Sequence, residues 1–280
     1  MNRIEKYYDQ SPEKEWLRLQ RTAYDTVEAT ITKKYLLQYL KPNFKVADIG
    51  CGPGIYSTWL LENGNDVLLC DLSEGLLNLA KQKISEIKAL GKVIDFMKAD
   101  ATDLNGIQAD QFDVTLLFGP IYHLLDEKKR VAAIQEAKRI TKPGGYIFVS
   151  TINRICPFLN MLHNSTEELV VELSKDPEEL DRILSTGCYE NFEETPNQFT
   201  DAYFAKTNEV PDLFKGQGIA LIETFGCEGI AAYIYGKAEI IFKNPVAWRK
   251  FIEILFQQSK EPSTLGMSEH VVYVGQKPVL

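Results

Sequence analysis

The chain has 280 residues, 45% hydrophobic and 25% charged, an ordinary balance for a globular protein built as one large domain or as one domain with an insertion. Its net charge of −8 argues against a broad nucleic-acid surface, since a polyanion is repelled by like charge. No apolar run reaches the roughly 18–20 residues that cross a bilayer, Met1–Gln10 lacks the apolar centre of a secretory signal, and the cysteines at 51, 70, 156, 188 and 227 form no C-x-x-C pair, so a cytoplasmic chain with reduced thiols and no membrane partner is expected.

Residues 1–42 read as a helical lid. Ser11 is placed to cap a helix with Pro12 at its first position. Leu17, Tyr24, Val27, Ile31 and Tyr35 then recur on one helical face. From 43 to 153 short apolar runs alternate with amphipathic stretches. Strands are expected at 45–49, 66–70, 93–97, 112–118 and 146–152. Helices are expected from Ile55, from a Ser73 cap with Leu76, Ala80, Ile84, Ile87 and Leu90 on one face, and from about 126 to 140, where Lys142-Pro143-Gly144-Gly145 stops the last. This alternation implies a mostly parallel sheet covered on both faces, with ligands at the C-terminal strand ends.

The alternation breaks after Asn153. Residues 154–205 are acidic and carry two helix starts, the capping box Ser165-Thr166-Glu167-Glu168 and Asp176-Pro177-Glu178-Glu179. They read as a cap-like insertion. Residues 206–280 complete the sheet, with a short helix at 208–216, a strand at 220–225, a helix at 245–258 and a last edge strand at 270–275. The fold class expected is therefore α/β, a doubly wound Rossmann-like sheet that is mostly parallel with an antiparallel edge strand. An N-terminal helical lid and a helical cap insertion are added to it.

The stretch Val46-Ala47-Asp48-Ile49-Gly50-Cys51-Gly52-Pro53-Gly54 is a strand that ends in a carboxylate and turns on glycines into a helix. Such a turn brings backbone close to a small ligand. A dinucleotide fingerprint needs G-x-G-x-x-G, and Ile55 stands where the third glycine belongs. Asp48 suits a cation or an amine better than a phosphate. Asp71, 21 residues beyond Gly50, ends the second strand and can accept two ribose hydroxyls. That would serve NAD as well as another adenosine ligand, and a helix cap is its plainer role. Asp100 ends the third strand, where an adenine edge or only water can lie.

Taken in order, Asp48-Ile49-Gly50-Cys51-Gly52-Pro53-Gly54, Asp71-Leu72-Ser73, Asp100-Ala101, Phe118-Gly119-Pro120 and Lys142-Pro143-Gly144-Gly145 resemble the motifs of class I S-adenosylmethionine-dependent methyltransferases over roughly residues 43–152. Gly119-Pro120-Ile121-Tyr122-His123-Leu124 resembles a Gly-Pro-Leu-Tyr-His-Leu run of a small-molecule subgroup, with Ile121 in place of leucine. That subgroup's opening pattern also resembles Tyr7-Tyr8-Asp9 and Glu15-Trp16-Leu17-Arg18-Leu19. The resemblance implies S-adenosylmethionine as cofactor and S-adenosylhomocysteine as product. Gly50, Cys51 and Gly52 would meet the methionine part, Asp71 the ribose, Leu72, Asp100 and Ala101 the adenine, and Phe118 the methyl-bearing end; Asp48, also expected in the cofactor site, is compatible with a ligand that carries a sulfonium and an ammonium but no phosphate.

The acceptor side has no motif. His123, a short turn after the fourth strand, is the candidate base, with Tyr122 beside it to orient substrate; the plainer alternative is that His123 packs against the next helix. Tyr7, Tyr8, Trp16 and Arg21 are candidates for the lid's contact with substrate, and Tyr203, Phe204, Glu228, Tyr233 and Tyr235 for a pocket wall, or all are ordinary packing and surface residues. Cys51 is expected as a small side chain in a glycine loop. The three histidines, 123, 163 and 270, lack metal-ligand spacing, so no metal is expected. The leading expectation is methyl transfer to a small-molecule acceptor. The alternatives are a tRNA, rRNA or protein methyltransferase, a non-catalytic binder of the cofactor, and an NAD-dependent oxidoreductase.

Overall fold

The structure is a computed structural model and describes residues 3–163, 165–175, 177–192 and 198–279. The chain opens with two short helices, α1 (Arg3–Asp9) and α2 (Pro12–Leu17), then α3 (Asp25–Tyr39). The expected single helical face is split here. Leu17 is half exposed, whereas Leu19, Ala23 and Tyr24 of the intervening turn are buried in the core. Arg18 holds the turn, donating to Glu15 at 2.7 Å and to Glu28 at 2.8 Å. Pro12 does open α2, but the Ser11 side chain caps nothing. Helical spacing in the sequence was met by chance across a break that tertiary contacts impose.

The core then runs β1 (Lys45–Ile49), α4 (Ile55–Glu62), β2 (Asp66–Asp71), α5 (Glu74–Ser85), β3 (Val93–Lys98), β4 (Phe112–Leu117), α6 (Pro120–His123), α7 (Glu127–Ile140) and β5 (Thr141–Asn153). Ser73 and Asp126 cap α5 and α7 through their side chains. Helix α5 stops at Ser85, so Leu90 lies off its face and is exposed. The remaining elements are α8 (Cys156–Leu162), α9 (Thr166–Lys175), α10 (Pro177–Thr186), β6 (Cys188–Tyr189), β7 (Ala202–Ala205), α11 (Glu209–Gly216), β8 (Ala220–Gly226), a 3₁₀ turn at Gly229–Tyr233, α12 (Tyr235–Phe242), α13 (Pro245–Gln258), α14 (Pro262–Leu265) and β9 (His270–Gln276). The capping box of α9 forms reciprocally, Glu168 N–H to Ser165 Oγ at 3.2 Å and Ser165 N–H to Glu168 Oε2 at 3.0 Å. Asp176, expected to cap α10, lies outside the described residues.

Strands β3, β2, β1, β4 and β5 are parallel neighbours in that order. Strand β9 pairs antiparallel with β5 and, on its other flank, with β8. It is thus an interior strand, and β8 is the edge. The uninterrupted run Val271–Val274, buried throughout, reflects that double pairing. Beyond Val149, where β4 ends, β7 takes over that flank of β5 at Ile152 and Asn153. Two-residue alternation splits the strands between two cores. Val67 and Leu69 face one with α3, α4, α5 and α13; Leu68 and Cys70 face the other with α7 and α11. Every parallel strand therefore ends at one edge of the sheet, and β9 begins there.

Candidate functional site

At that edge the glycine loop folds β1 back onto β2. The N–H groups of Gly50 and Cys51 both donate to the Cys70 carbonyl, at 2.7 and 3.0 Å. Gly50 has φ +77°, and a Cβ there would come within 2.5 Å of Pro120 Cδ, so only glycine lets the two loops meet. Gly52 N–H donates to Asp71 Oδ2 at 2.8 Å, and Ser73 N–H donates to Asp71 Oδ1 at 2.8 Å. Each Asp71 oxygen keeps a further lone pair for a ligand hydroxyl. Asp100 is held by Thr102, whose N–H and Oγ–H both reach its Oδ1. Gly54, left-handed at φ +86°, then starts α4.

These strand ends floor a cleft of about 1040 Å³, open to solvent on one side. Its described lining carries Glu5, Glu15, Asp48, Asp71 and Asp100, against Arg18 as its one permanently charged cation. Arg18 is already tied to Glu15 and Glu28. Asp48 is 1% exposed, accepts from Ser57 Oγ at 2.6 Å, and is pushed up to about 7 by burial. The Ser57 hydrogen bond pulls that value down and Asp71 pushes it up. Burial likewise raises Asp71 to about 6, against the pull of its backbone hydrogen bonds. A cation would relieve both carboxyls; a pyrophosphate would meet five acids and no free base. The donor set thus fits S-adenosylmethionine, which bears a sulfonium, an ammonium and a ribose diol and no phosphate.

Helices α1 and α2 roof the cleft. Tyr8 Oη lies 2.8 Å from His123 Nε2, and His123 Nδ1 lies 2.9 Å from the Asp201 carbonyl. A carbonyl only accepts, so Nδ1 carries the proton and Nε2 accepts from Tyr8. Burial pushes His123 down to about 4, keeping the ring neutral. Asp9 Oδ1 takes the Ser73 hydroxyl at 2.5 Å and the Gly75 N–H at 3.0 Å, beside Asp71. Glu5 pairs with Lys98 at 2.8 Å, and Arg3 with Asp201 at 2.6 Å. The roof is fastened at both ends.

All nine residues expected around the cofactor line this cleft: Asp48, Gly50, Cys51, Gly52, Asp71, Leu72, Asp100, Ala101 and Phe118. Tyr8, Tyr122 and His123 join them. Cys51 is buried and its thiol is pushed well up, which leaves it inert. The other acceptor candidates lie elsewhere. Trp16 has the Lys83 ammonium over its ring at 5.2 Å. Arg21 is half exposed, 3.4 Å from Asp25. Tyr203 stacks under Arg130 at 3.6 Å and donates to Glu209. Tyr7 packs edge-on against Tyr8 and Phe199, Phe204 is buried in a small cluster under α10, and Tyr233 is exposed. Glu228 is buried at the sheet edge and bound to Ser268 and His270. The side chain of Tyr235 lies outside the described residues. Glu15, Arg18, Leu19 and Tyr56 line the cleft without having been singled out for it. The resemblance carried by Glu15-Trp16-Leu17-Arg18-Leu19 was the signal available for the first three.

Residues 47–149 match the protein family described as a methyltransferase domain. A ubiquinone biosynthesis O-methyltransferase of Methylococcus capsulatus is 37% identical over 110 residues, which is 39% of this chain and 44% of that protein. The chain thus spans less than half the length of that curated relative. A S-adenosylmethionine-dependent methyltransferase structure from Methanosarcina mazei superposes with a TM-score of 0.58 at 16% identity, covering 88% of this chain and 98% of the other. A magnesium protoporphyrin IX methyltransferase from Synechocystis, solved with S-adenosylhomocysteine, gives 0.51 at 16% identity over 91% of this chain and 83% of the other. Among the described residues no helix is long and apolar enough to cross a membrane.

Proposed function

We infer that this chain, which carries a methyltransferase domain over residues 47–149 on the class I S-adenosylmethionine-dependent methyltransferase fold, transfers a methyl group to a small-molecule acceptor. The observation that carries the reading is the acid-lined cleft, with Asp71 stapled to the glycine loop where a ribose diol would sit. The bound cofactor supplies a methyl group already activated on a positive sulfur. The protein's part is to hold, align and dry. Asp71 takes the ribose hydroxyls, Leu72, Asp100 and Ala101 bound the adenine, and Asp48 with the 50–52 backbone faces the methionine part. Phe118 and Tyr56, edge to face at 5.1 Å, wall the methyl end. Tyr122 orients the acceptor. His123 holds Tyr8 in the wall, so that the roof excludes water while nucleophile and methyl group are aligned, an effect worth up to roughly 7–11 kcal/mol. The five unpaired cysteines support the cytoplasm as its place of work.

Thermal melts with S-adenosylmethionine, S-adenosylhomocysteine and NADH, followed by incubation of metabolite pools with methyl-labelled cofactor, test this. A ligand at about 100 times its Kd adds roughly 2.7 kcal/mol. Stabilisation by the two sulfur ligands and label in a small molecule are expected. Stabilisation by NADH alone would sink the reading. Cofactor binding with no label transferred to any pool would leave a non-catalytic binder.

A further inference from the structure

Among the described residues that line the acceptor half of the cleft, no base stands free. His123 has both ring nitrogens engaged, by Tyr8 at 2.8 Å and by the Asp201 carbonyl at 2.9 Å. Burial raises the phenols of Tyr8, Tyr56 and Tyr122, and Glu15 adds to the rise in Tyr8 and Tyr122, so all three keep their protons at neutral pH. Burial does the same to the Cys51 thiol. Glu5 is tied to Lys98 at 2.8 Å and Glu15 to Arg18 at 2.7 Å. Asp48, Asp71 and Asp100 stand on the cofactor side, with Asp48 1% exposed and held by Ser57. An alcohol, a phenol or a carbon acid sheds a proton as its bond to the methyl carbon forms, and no side chain here is placed to take it.

The same lining holds no uncommitted cation. Arg18 is shared between Glu15 at 2.7 Å and Glu28 at 2.8 Å, one positive charge against two negative ones. Behind Glu28 the His270 imidazole, 3.6 Å away, is matched by Glu228 at 2.7 Å, so the excess of negative charge stands. A carboxylate, thiolate or phenolate acceptor would enter against that excess and against the acids at the strand ends.

What lines this half instead is aromatic surface: Tyr8, Tyr56, Phe118 and Tyr122, with Phe118 and Tyr56 edge to face at 5.1 Å and the Tyr122 ring 4.8 Å from that of His123. Ring faces are electron-rich, so they take a flat ring and hold a cation better still. The charge balance of methyl transfer then discriminates between acceptors. An anionic acceptor cancels the positive charge of the sulfonium, and an acid-lined cleft opposes that loss. A neutral acceptor conserves the charge, which only moves from sulfur to the acceptor, and the lining favours it at both ends of the path.

Resting on the methyltransferase reading above, we propose that the acceptor is an uncharged nitrogen within an aromatic ring, of the pyridine or imidazole type, and that Glu15 with the Tyr56–Phe118 pair favours its cationic product. The in-plane lone pair of that nitrogen forms the bond to the methyl carbon. The carbon–sulfur bond breaks with its electron pair going to sulfur, which turns the sulfonium into a neutral thioether and leaves the positive charge on the ring. A pyridine-type product stays a cation; an imidazole-type product gives its N–H proton to water after the transfer. No lining base is needed in either case. An aliphatic amine is not equivalent, since near neutral pH it arrives as an ammonium ion with no lone pair, whereas an imidazole, with a pKa of about 6.5, arrives mostly uncharged. His123, with both nitrogens engaged, is left to hold the roof.

The test uses full-length protein saturated with S-adenosylhomocysteine and three two-ring probes of similar size: N-methylquinolinium, quinoline and 1-naphthoate, at neutral pH, where quinoline is uncharged. By calorimetry N-methylquinolinium should bind about tenfold or more tighter than 1-naphthoate. In Glu15→Gln the ratio of N-methylquinolinium to quinoline affinity should fall severalfold with S-adenosylhomocysteine affinity unchanged; a merely structural loss would lower both probes alike. With methyl-labelled S-adenosylmethionine and wild-type protein, label should appear in quinoline, as N-methylquinolinium, and exceed that in 1-naphthol. A loaded wild type that binds no N-methylquinolinium or binds 1-naphthoate as tightly, an unchanged ratio in Glu15→Gln, or more label in 1-naphthol than in quinoline would overturn the assignment. Loss of S-adenosylhomocysteine binding by the wild type would instead strike the methyltransferase reading itself.

Discussion

The cofactor half and the acceptor half of the cleft are built on different principles. On the cofactor side each contact is made by residues close in sequence or on adjacent strands: Gly52 to Asp71, Ser73 to Asp71, Thr102 to Asp100. A loop and a strand end suffice, and the polar groups are mostly backbone. At the roof the contacts cross far more of the chain: Arg3 to Asp201 and Tyr8 to His123. These are side-chain pairs that exist only once α1, α6 and the approach to β7 have met. The cofactor, one fixed molecule, is held by a frame that the sheet itself supplies. On the function proposed, the acceptor would be met by side chains that a different arrangement of termini would replace without disturbing that frame.

The comparison is broken most sharply at Asp71. Asp71→Ala removes the charged acceptor of two backbone N–H groups and of the ribose hydroxyls. A loss of about 2–3 kcal/mol in cofactor affinity is expected, up to roughly a hundredfold in Kd by calorimetry, with the circular dichroism spectrum unchanged. An unchanged Kd would remove Asp71 from the ribose site.

A somewhat smaller effect separates the two halves by pH. Asp48 and Asp71 titrate higher when folded, about 7 and about 6, than when unfolded. The folded state binds more protons between about pH 4 and 7, so apo stability is highest near the acid end of that window and falls as pH rises through it. Asp48→Asn should flatten this fall and gain about 2 kcal/mol of apo stability at neutral pH. Saturating S-adenosylmethionine should also oppose the fall, because its positive charges favour the ionised carboxyls. Melts of apo and loaded protein across the window check both; parallel curves would mean that no cation meets these acids.

The smallest effect falls where the sequence offered a candidate that the fold leaves at the surface. Arg21 is half exposed and pairs with Asp25 along one helical turn. Arg21→Ala should change stability by less than about 0.5 kcal/mol and leave cofactor affinity alone. A larger loss in either would bring Arg21 back to the site.

Much of the sheet was legible beforehand because its signals are local. The five core strands, the helices that follow β1, β2 and β4, the Ser73 cap and the Ser165 capping box each depend on residues within one element, and each appears where its pattern stood. The misread parts share one cause. The face from Leu17 to Tyr35 had helical spacing, yet the burial of Leu19 and Tyr24 broke the helix. The run 270–275 was a strand by composition, but whether it lay at the edge depended on where β8 returned.

By itself, then, the sequence determined the α/β alternation, the glycine turn and the acids at the strand ends. Periodicity, backbone freedom and charge act over a few residues, and each is written where it acts. Only the tertiary structure decided what covers the cleft and which carboxylates gather around His270. Tyr8 meets His123, and Glu28 and Glu228 meet His270, across 115, 242 and 42 residues of chain. Such pairings follow from the order and direction of the strands, which no local pattern encodes.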